Sequence, residues 1–348
     1  MAAGERSVDM IQEYQSFADS VQTKLREVTH WERIYADYAA TLLANQNRIR
    51  LASRTFRVPK PLHRYLAIGQ AKKSSGAVEF DLRYLGQSVG QVRVADGQPP
   101  KLTVSEATSK NSERFDYKLG QISKDDWKTG EKAAQFRAFY KGLLKRTDIR
   151  PRQPEHMVES ALFSELEKLT SDTKQLKLIQ PISYEGIRLH MKTALAASGS
   201  HSGVCEVAKP GGGGDIDVFC RRKCNNHSRL TVIEVKDKNE PGETFHLAIK
   251  QAIAYAVFIR ELVRSESGQD WMELWGLGNQ PWGKGFTINA VAAMPKGKTE
   301  QFPFAGIKLE LKGEKPEDAT DWIELHYIAF LGEDQPRDGQ DVRFETSL

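Results

Sequence analysis

Apolar positions recur at spacings of three and four from the start of the chain: Ile11, Tyr14, Ala18, Val21, Leu25 and Val28 fall within residues 7–52, a stretch with neither Gly nor Pro, which predicts helix. The same stripe would serve as a packing face within one domain or as a short seam of a homodimer. The period then changes to two. Residues 78–84 alternate apolar and polar, and residues 88–94 and 101–104 follow with turn residues Gly86-Gln87 and 96–100 between them, so a small antiparallel meander is expected. Helical spacing returns over residues 130–147, with Ala134, Phe136, Phe139, Tyr140, Leu143 and Leu144 on the apolar face. Residues 150–154, with two prolines, read as a linker. Beyond it, residues 155–169 form a further amphipathic helix whose stripe of Leu162, Phe163, Leu166 and Leu169 also contains Glu159. A carboxylate buried alone costs several kcal/mol, about 2–7 even for a neutral polar group, so Glu159 is expected at the rim of that stripe.

In residues 215–219 the alternation sets Asp215 and Asp217 on one side of a strand and Ile216 and Val218 on the other. In residues 230–238, Ile233 and Val235 share one face, while Glu234, Lys236 and Lys238 share the opposite one. The turn-like segment between these strands makes a hairpin that brings Asp217 beside Glu234. Two converging carboxylates repel unless a cation lies between them, and a hard divalent ion such as Mg2+ fits oxygen ligands, with Mn2+ as a substitute. Lys236, on the same face, is placed to orient or deprotonate an attacking water, or to stabilise charge on a phosphoryl group. The glycine run of residues 211–214 reads as a flexible approach to the Asp217 strand. Cys205, Cys220, Cys224 and His227 are rival ligands for Zn2+, at an atypical spacing.

Composition narrows the setting. With 39% hydrophobic residues and a mean hydropathy of −0.53, the chain contains no apolar run near the roughly 20 residues that a bilayer crossing needs, so no membrane partner is expected. Its first residues lack the apolar stretch of a secretory signal, and three cysteines make no disulfide scaffold, so a cytoplasmic location is expected. The net charge of +4 hides a division: the excess of Lys and Arg lies in residues 1–150, and the remainder is acidic. Between Asp37 and Glu79 there is no carboxylate, while Arg48, Arg50, Arg54, Arg57, Lys60, Arg64, Lys72 and Lys73 occur there with Phe56, His63 and Tyr65 among them. Cations interleaved with aromatic rings neutralise phosphates and stack on bases, so this stretch, together with Lys238, is expected to bind nucleic acid.

Asp217 followed by Glu234-Val235-Lys236 resembles the PD-(D/E)XK motif of the restriction-endonuclease-like nucleases. Glu159 matches the upstream helical glutamate of that family, and Gln251 and Tyr255 match the Gln-x-x-x-Tyr helix of one of its branches; Ile216 stands where the motif has its proline. The resemblance implies that Asp217 and Glu234 bind metal, with Asp215 as a further or competing ligand. It also implies that the Val235 carbonyl adds a ligand, that Lys236 serves the attacking water, and that Gln251 and Tyr255 brace the site. It implies an α/β fold with a mixed central sheet flanked by helices over residues 151–348, completed by strands at 286–294 and 322–330, behind an α+β module at 1–150 that binds nucleic acid or a partner. The activity implied is Mg2+-dependent hydrolysis of nucleic acid, DNA rather than RNA, in defence or restriction. A nuclease gated by a sensing N-terminal domain and a catalytically silent nucleic-acid-binding module are the competing expectations.

Overall fold

The computed structural model describes residues 3–348 apart from 69–75, 114, 116, 119, 144–153, 169–173, 198–205, 210–211, 226, 237–244, 281, 283–284, 297–304, 314–317 and 332–342. The chain is a mixed α/β protein that divides into two compact units: residues 1–37, 161–182 and 191–348 form the first, and residues 38–160 and 183–190 the second. The expected boundary at residue 150 is therefore not where the chain divides. Lys72, Lys73, Lys238, Gly211, Cys205 and most of the expected linker lie outside the described residues. Among the described residues no helix is long and apolar enough to cross a membrane.

The predicted helix over 7–52 is three helices, α1 (Ala3–Glu27), α2 (His30–Ala44) and α3 (Gln46–Thr55). Side-chain bonds to backbone carbonyls mark both breaks. The Trp31 indole donates to the Leu25 carbonyl at 3.0 Å, satisfying a group that the end of α1 leaves without a helical partner, and the Asn45 amide donates to Thr41 O at 2.8 Å.

α1 explains why the first residues belong with the C-terminal part. Tyr14, Ala18, Val21 and Leu25 are buried within the first unit, so the stripe is a packing face there and not an open seam. Tyr14 Oη meets His246 Nδ1 at 2.9 Å, and Gln22 donates to Glu261 at 2.7 Å. The Gln15 amide donates to Glu310 O at 2.8 Å and accepts from Glu310 N–H at 2.9 Å, covering the backbone of an edge strand as a paired strand would.

The sheet of the first unit runs β14-β15-β13-β12-β11-β6, with β16 (Arg343–Thr346) also on β15. Its centre is parallel: β12 (His227–Val235), β13 (Thr287–Pro295) and β15 (Asp321–Leu331). These strands carry runs such as Ile288, Ala290, Val291 and Ala292, buried on both faces as a parallel sheet requires. Antiparallel partners flank them: β11 (Val218–Cys224) on β12, β6 (Ile179–Pro181) on β11, and β14 (Lys308–Leu311) on β15. The crossover from β12 to β13 contains α7 (Phe245–Arg264) and α8 (Gly268–Leu274). α7 is apolar nearly all round and almost wholly buried, packing on β12 and β13. At its C-terminal end a buried ionic network joins Arg260 and Arg264 to Asp321, which is 0% exposed.

The second unit is built on the predicted meander. β2 (Ala77–Tyr84), β3 (Gln87–Ala95), β4 (Lys101–Val104) and β5 (Ile122–Asp126) pair antiparallel in sequence, and β1 (His63–Ala67) joins β2 to β8 (Ile187–His190) and β7 (Ser183–Tyr184). The β2–β3 turn is centred one residue earlier than expected, on Leu85 and Gly86, both at positive φ (47° and 75°), the combination that closes a two-residue hairpin. Two helices, α4 (Glu106–Glu113) and α5 (Glu131–Leu143), pack on this sheet. α5 buries Ala133, Phe136, Tyr140 and Leu143; Ala134, expected on that face, is exposed. Glu159 lies on α6 (Pro154–Leu166), in the part assigned to this unit.

Candidate active site

β11 and β12 pair with Val218 opposite Ile233, and one further step of that register sets Asp217 opposite Glu234. Directly opposed residues of an antiparallel pair present their side chains on one face, and Lys236, two residues beyond Glu234, shares it. Asp217 precedes the first residue of β11, and its Oδ2 accepts the Val235 N–H at 2.8 Å. That bond extends the hairpin's pairing by one step, a side chain taking the place of the missing backbone acceptor. Within a strand the N–H and C=O of one residue face the same neighbour, so the Val235 carbonyl is turned to the Asp217 side. The next N–H, of Lys236, turns the other way and donates to Ala293 O at 2.9 Å.

This cluster stands at the C-terminal end of a parallel strand, the edge of an open α/β sheet where ligands bind. Glu234 is 0% exposed, Lys236 is 7% exposed, and Asp217 is half-buried. Asp215 is half-buried two residues earlier and pairs by its backbone with Lys192, so Asp217 is the aspartate that the register sets opposite Glu234.

The approach segment is held, not loose. Gly214 N–H donates to Leu195 O and Thr193 N–H to Gly214 O, both at 2.8 Å. Gly213 has φ +103°, and a Cβ there would sit 2.1 Å from the Thr193 carbonyl oxygen; one on Gly214 would sit 2.0 Å from Tyr255 Oη. The glycines are needed for close approach, not for flexibility. Tyr255, on α7, thus seats its hydroxyl against the backbone that leads into Asp215. It donates to Ala197 O at 3.3 Å and receives the Gln251 amide at 3.4 Å, the i, i+4 pair expected from the sequence. Gln251 Oε1 is buried and accepts no hydrogen bond among the described residues.

No model of a known protein family matches the chain, and no curated protein or solved structure matches it. The chemistry of the site therefore rests on its own residues. Among the described residues no three His, Cys, Asp or Glu side chains converge as a metal-binding group. The donor set that the register does bring together is two carboxylates and one backbone carbonyl, all oxygen. It suits Mg2+, which takes one or two carboxylates and keeps several waters, better than an ion that needs a closed protein cage. Of the zinc alternative, Cys205 lies outside the described residues, and the other three do not converge: Cys220 is buried in β11, where burial pushes its thiol up, and Cys224 pairs with His227 at the far end of the hairpin.

Glu159 is 4% exposed, not at a rim. Within the second unit it acts electrostatically on Tyr65 and Arg83. Burial pushes the Tyr65 phenol up to about 12, with Arg188 pulling it down and Glu159 pushing it up further. The expected nucleic-acid residues separate into two groups. Arg54, Arg57 and Lys60 are exposed. Arg48 pairs with Asp96 at 3.2 Å, and Arg50 lies 3.9 Å from Glu185. Half-buried Arg64 donates to Ser53 O at 2.6 Å over the Phe56 ring. Phe56 and Tyr65, 3% and 4% exposed, are core residues and cannot stack on bases; of the three expected rings His63 alone is half-buried, and exposed charge remains.

Proposed function

We propose that this protein is a metal-dependent nuclease that hydrolyses phosphodiester bonds of DNA, in the manner of the PD-(D/E)XK nucleases it resembles. The observation that carries the reading is the placement of Asp217, Glu234 and Lys236 on one face at one strand end, with Asp217 fastened to the Val235 N–H at 2.8 Å. Asp217, Glu234 and the Val235 carbonyl would hold Mg2+, or Mn2+ in its place, and Asp215 is the further candidate ligand. A bound ion supplies Lewis acidity toward a phosphoryl oxygen and makes water nucleophilic at neutral pH. The chain's own contribution is alignment and charge. The bond from Val235 holds the Asp217 carboxylate on the strand that also provides Glu234, so the ligands keep one geometry. The Lys236 ammonium places positive charge where negative charge grows on the phosphoryl group, and can hold or return a proton there. Tyr255 and Gln251 hold the backbone before Asp215, and exposed Arg54, Arg57 and Lys60 are candidate backbone contacts.

The test is a cleavage panel of double-stranded DNA, single-stranded DNA and RNA with Mg2+, Mn2+ or EDTA, using the wild type, Lys236→Ala and Asp217→Ala. Cleavage of DNA only with metal, lost in both variants while they remain folded, is the expected result. Cutting in EDTA, or full activity of Lys236→Ala, overturns the mechanism. Binding of DNA without cleavage under any condition returns the protein to the class of silent binding modules.

A further inference from the structure

At the opposite end of the β11–β12 hairpin the first unit has an open concavity of about 620 Å³, lined by Lys177, Arg221, Lys223 and His227 together with Gln180 and Ser228, and among the described residues no Asp or Glu lines it. We propose that this concavity is a second phosphate-binding site, which grips the backbone of a nucleic-acid strand away from the carboxylates.

Four observations carry the proposal. Alternation along β11 puts Arg221 and Lys223 on the same face as Asp217, and the pairing of Gln180 with Arg221 adds β6 to that face. Six residues separate Asp217 from Lys223, or roughly 20 Å along a strand. The Phe219 and Trp275 rings, 5.0 Å apart and buried, lie between the two places and make them separate sites. Next, the cations are uncommitted: among the described residues no carboxylate lies within ion-pair distance of Lys177, Arg221 or Lys223, and Arg221 is held only by a 3.2 Å bond to Gln180. This local balance stands out in a part of the chain that is acidic overall. Third, the wall is built: Gln280 accepts the Ser228 N–H at 3.0 Å, fixing the loop after α8 against the hairpin end, and Asn225 at φ +49° closes the turn. Last, among the described residues the lining has no aromatic ring except the His227 imidazole and no carboxylate to read a ribose or a base, so recognition is by phosphate charge, which favours a strand's backbone over a mononucleotide.

The site does not depend on cleavage, and its test is read by binding in EDTA. Anisotropy of a labelled 30-base-pair DNA is measured across salt concentrations for the full chain and for Lys177→Gln/Lys223→Gln, which leaves Arg221 and its bond to Gln180 intact. Each phosphate contact contributes about 0.9 to the slope of log K against log salt, so the double variant should flatten that slope by about 1.8. Addition of Arg221→Gln should flatten it again. An unchanged slope in the double variant with an unchanged melting profile overturns the proposal. So does tight tripolyphosphate binding that the double variant abolishes while DNA binding stays the same, since the concavity would then take small anions. A flattened slope in a protein that never cuts DNA refutes the nuclease reading and leaves this site standing.

Discussion

Substitution of Asp217 by Asn separates what this side chain does for the fold from what it does for chemistry. Its Oδ2 receives the Val235 N–H at 2.8 Å, and Val235 is 0% exposed, so the bond is charge-assisted and shielded from solvent. A hydrogen bond to a charged group contributes about 1.5–3 kcal/mol and a neutral one about 0.5–1.5, so Asp217→Asn, which keeps an acceptor, should cost about 1 kcal/mol. Asp217→Ala leaves a buried N–H unsatisfied and should cost about 1–3 kcal/mol. Both variants lose the anionic ligand equally. If the carboxylate holds a metal, kcat/KM for DNA should fall at least 100-fold in each, which is about 2.7 kcal/mol of transition-state stabilisation. Urea unfolding followed by tryptophan fluorescence reads the first effect, because all the tryptophans but Trp127 lie in the first unit. Cleavage with Mg2+ reads the second. A midpoint for Asp217→Ala equal to that of the wild type would refute the structural role, and an Asp217→Asn protein within fivefold of wild-type activity would refute the ligand role.

Gly214→Ala would drive a Cβ to 2.0 Å from Tyr255 Oη and should destabilise the first unit by about 1–3 kcal/mol. Tyr255→Phe in the same chain should recover part of that loss in urea unfolding, and strictly additive losses would reject the contact. Asp321 is 0% exposed and bonds to Arg260 at 2.8 Å and Arg264 at 2.6 Å, so Asp321→Ala should cost about 3 kcal/mol by removing the carboxylate the two guanidiniums share, Arg260 keeping only Glu261; a midpoint close to the wild type would contradict this. His326 is 4% exposed, and burial pushes its imidazole down to about 4 from an ordinary 6.5, against the pull of Glu324 at 3.4 Å. Between those values the unfolded chain binds a proton that the native state refuses, so stability should fall as pH drops from 6.5 to 4 and this contribution should be level outside that window. His326→Gln should flatten that part of the thermal-unfolding profile, and an unchanged pH dependence would count against the buried neutral imidazole.

The sequence was most informative where one period governs one element. Period two placed the meander and the Asp217 and Glu234 strands, and an i, i+4 spacing placed Gln251 and Tyr255 on one helix. In each case side-chain direction follows from backbone geometry alone. Prediction failed where distant residues decide the outcome. Phe56 and Tyr65 look like stacking rings among cations, but residues far along the chain cover them: Trp127 packs on Phe56 at 5.6 Å, and the Arg188 guanidinium lies over Tyr65. The 7–52 helix divides where the Trp31 and Asn45 side chains bond to backbone carbonyls at the ends of α1 and α2, which apolar spacing does not encode. The glycine run gave no sign of which partner each glycine admits.

The unit boundary is the most consequential of these failures, since it decides which residues can be argued together. Charge and proline content suggested a cut at residue 150, whereas α1 is bound to the first unit by Tyr14, Gln15 and Gln22, each meeting a partner more than 200 positions away. Every residue that the hairpin register and α7 assemble, from Asp215 through Tyr255, lies in that unit; Glu159 belongs to the other, among Tyr65 and Arg83. The resemblance groups Glu159 with the catalytic residues, but the hairpin stands without it: one antiparallel register and one bond from Val235 suffice to align two carboxylates and a lysine. The strength of the active-site reading therefore lies in β11 and β12.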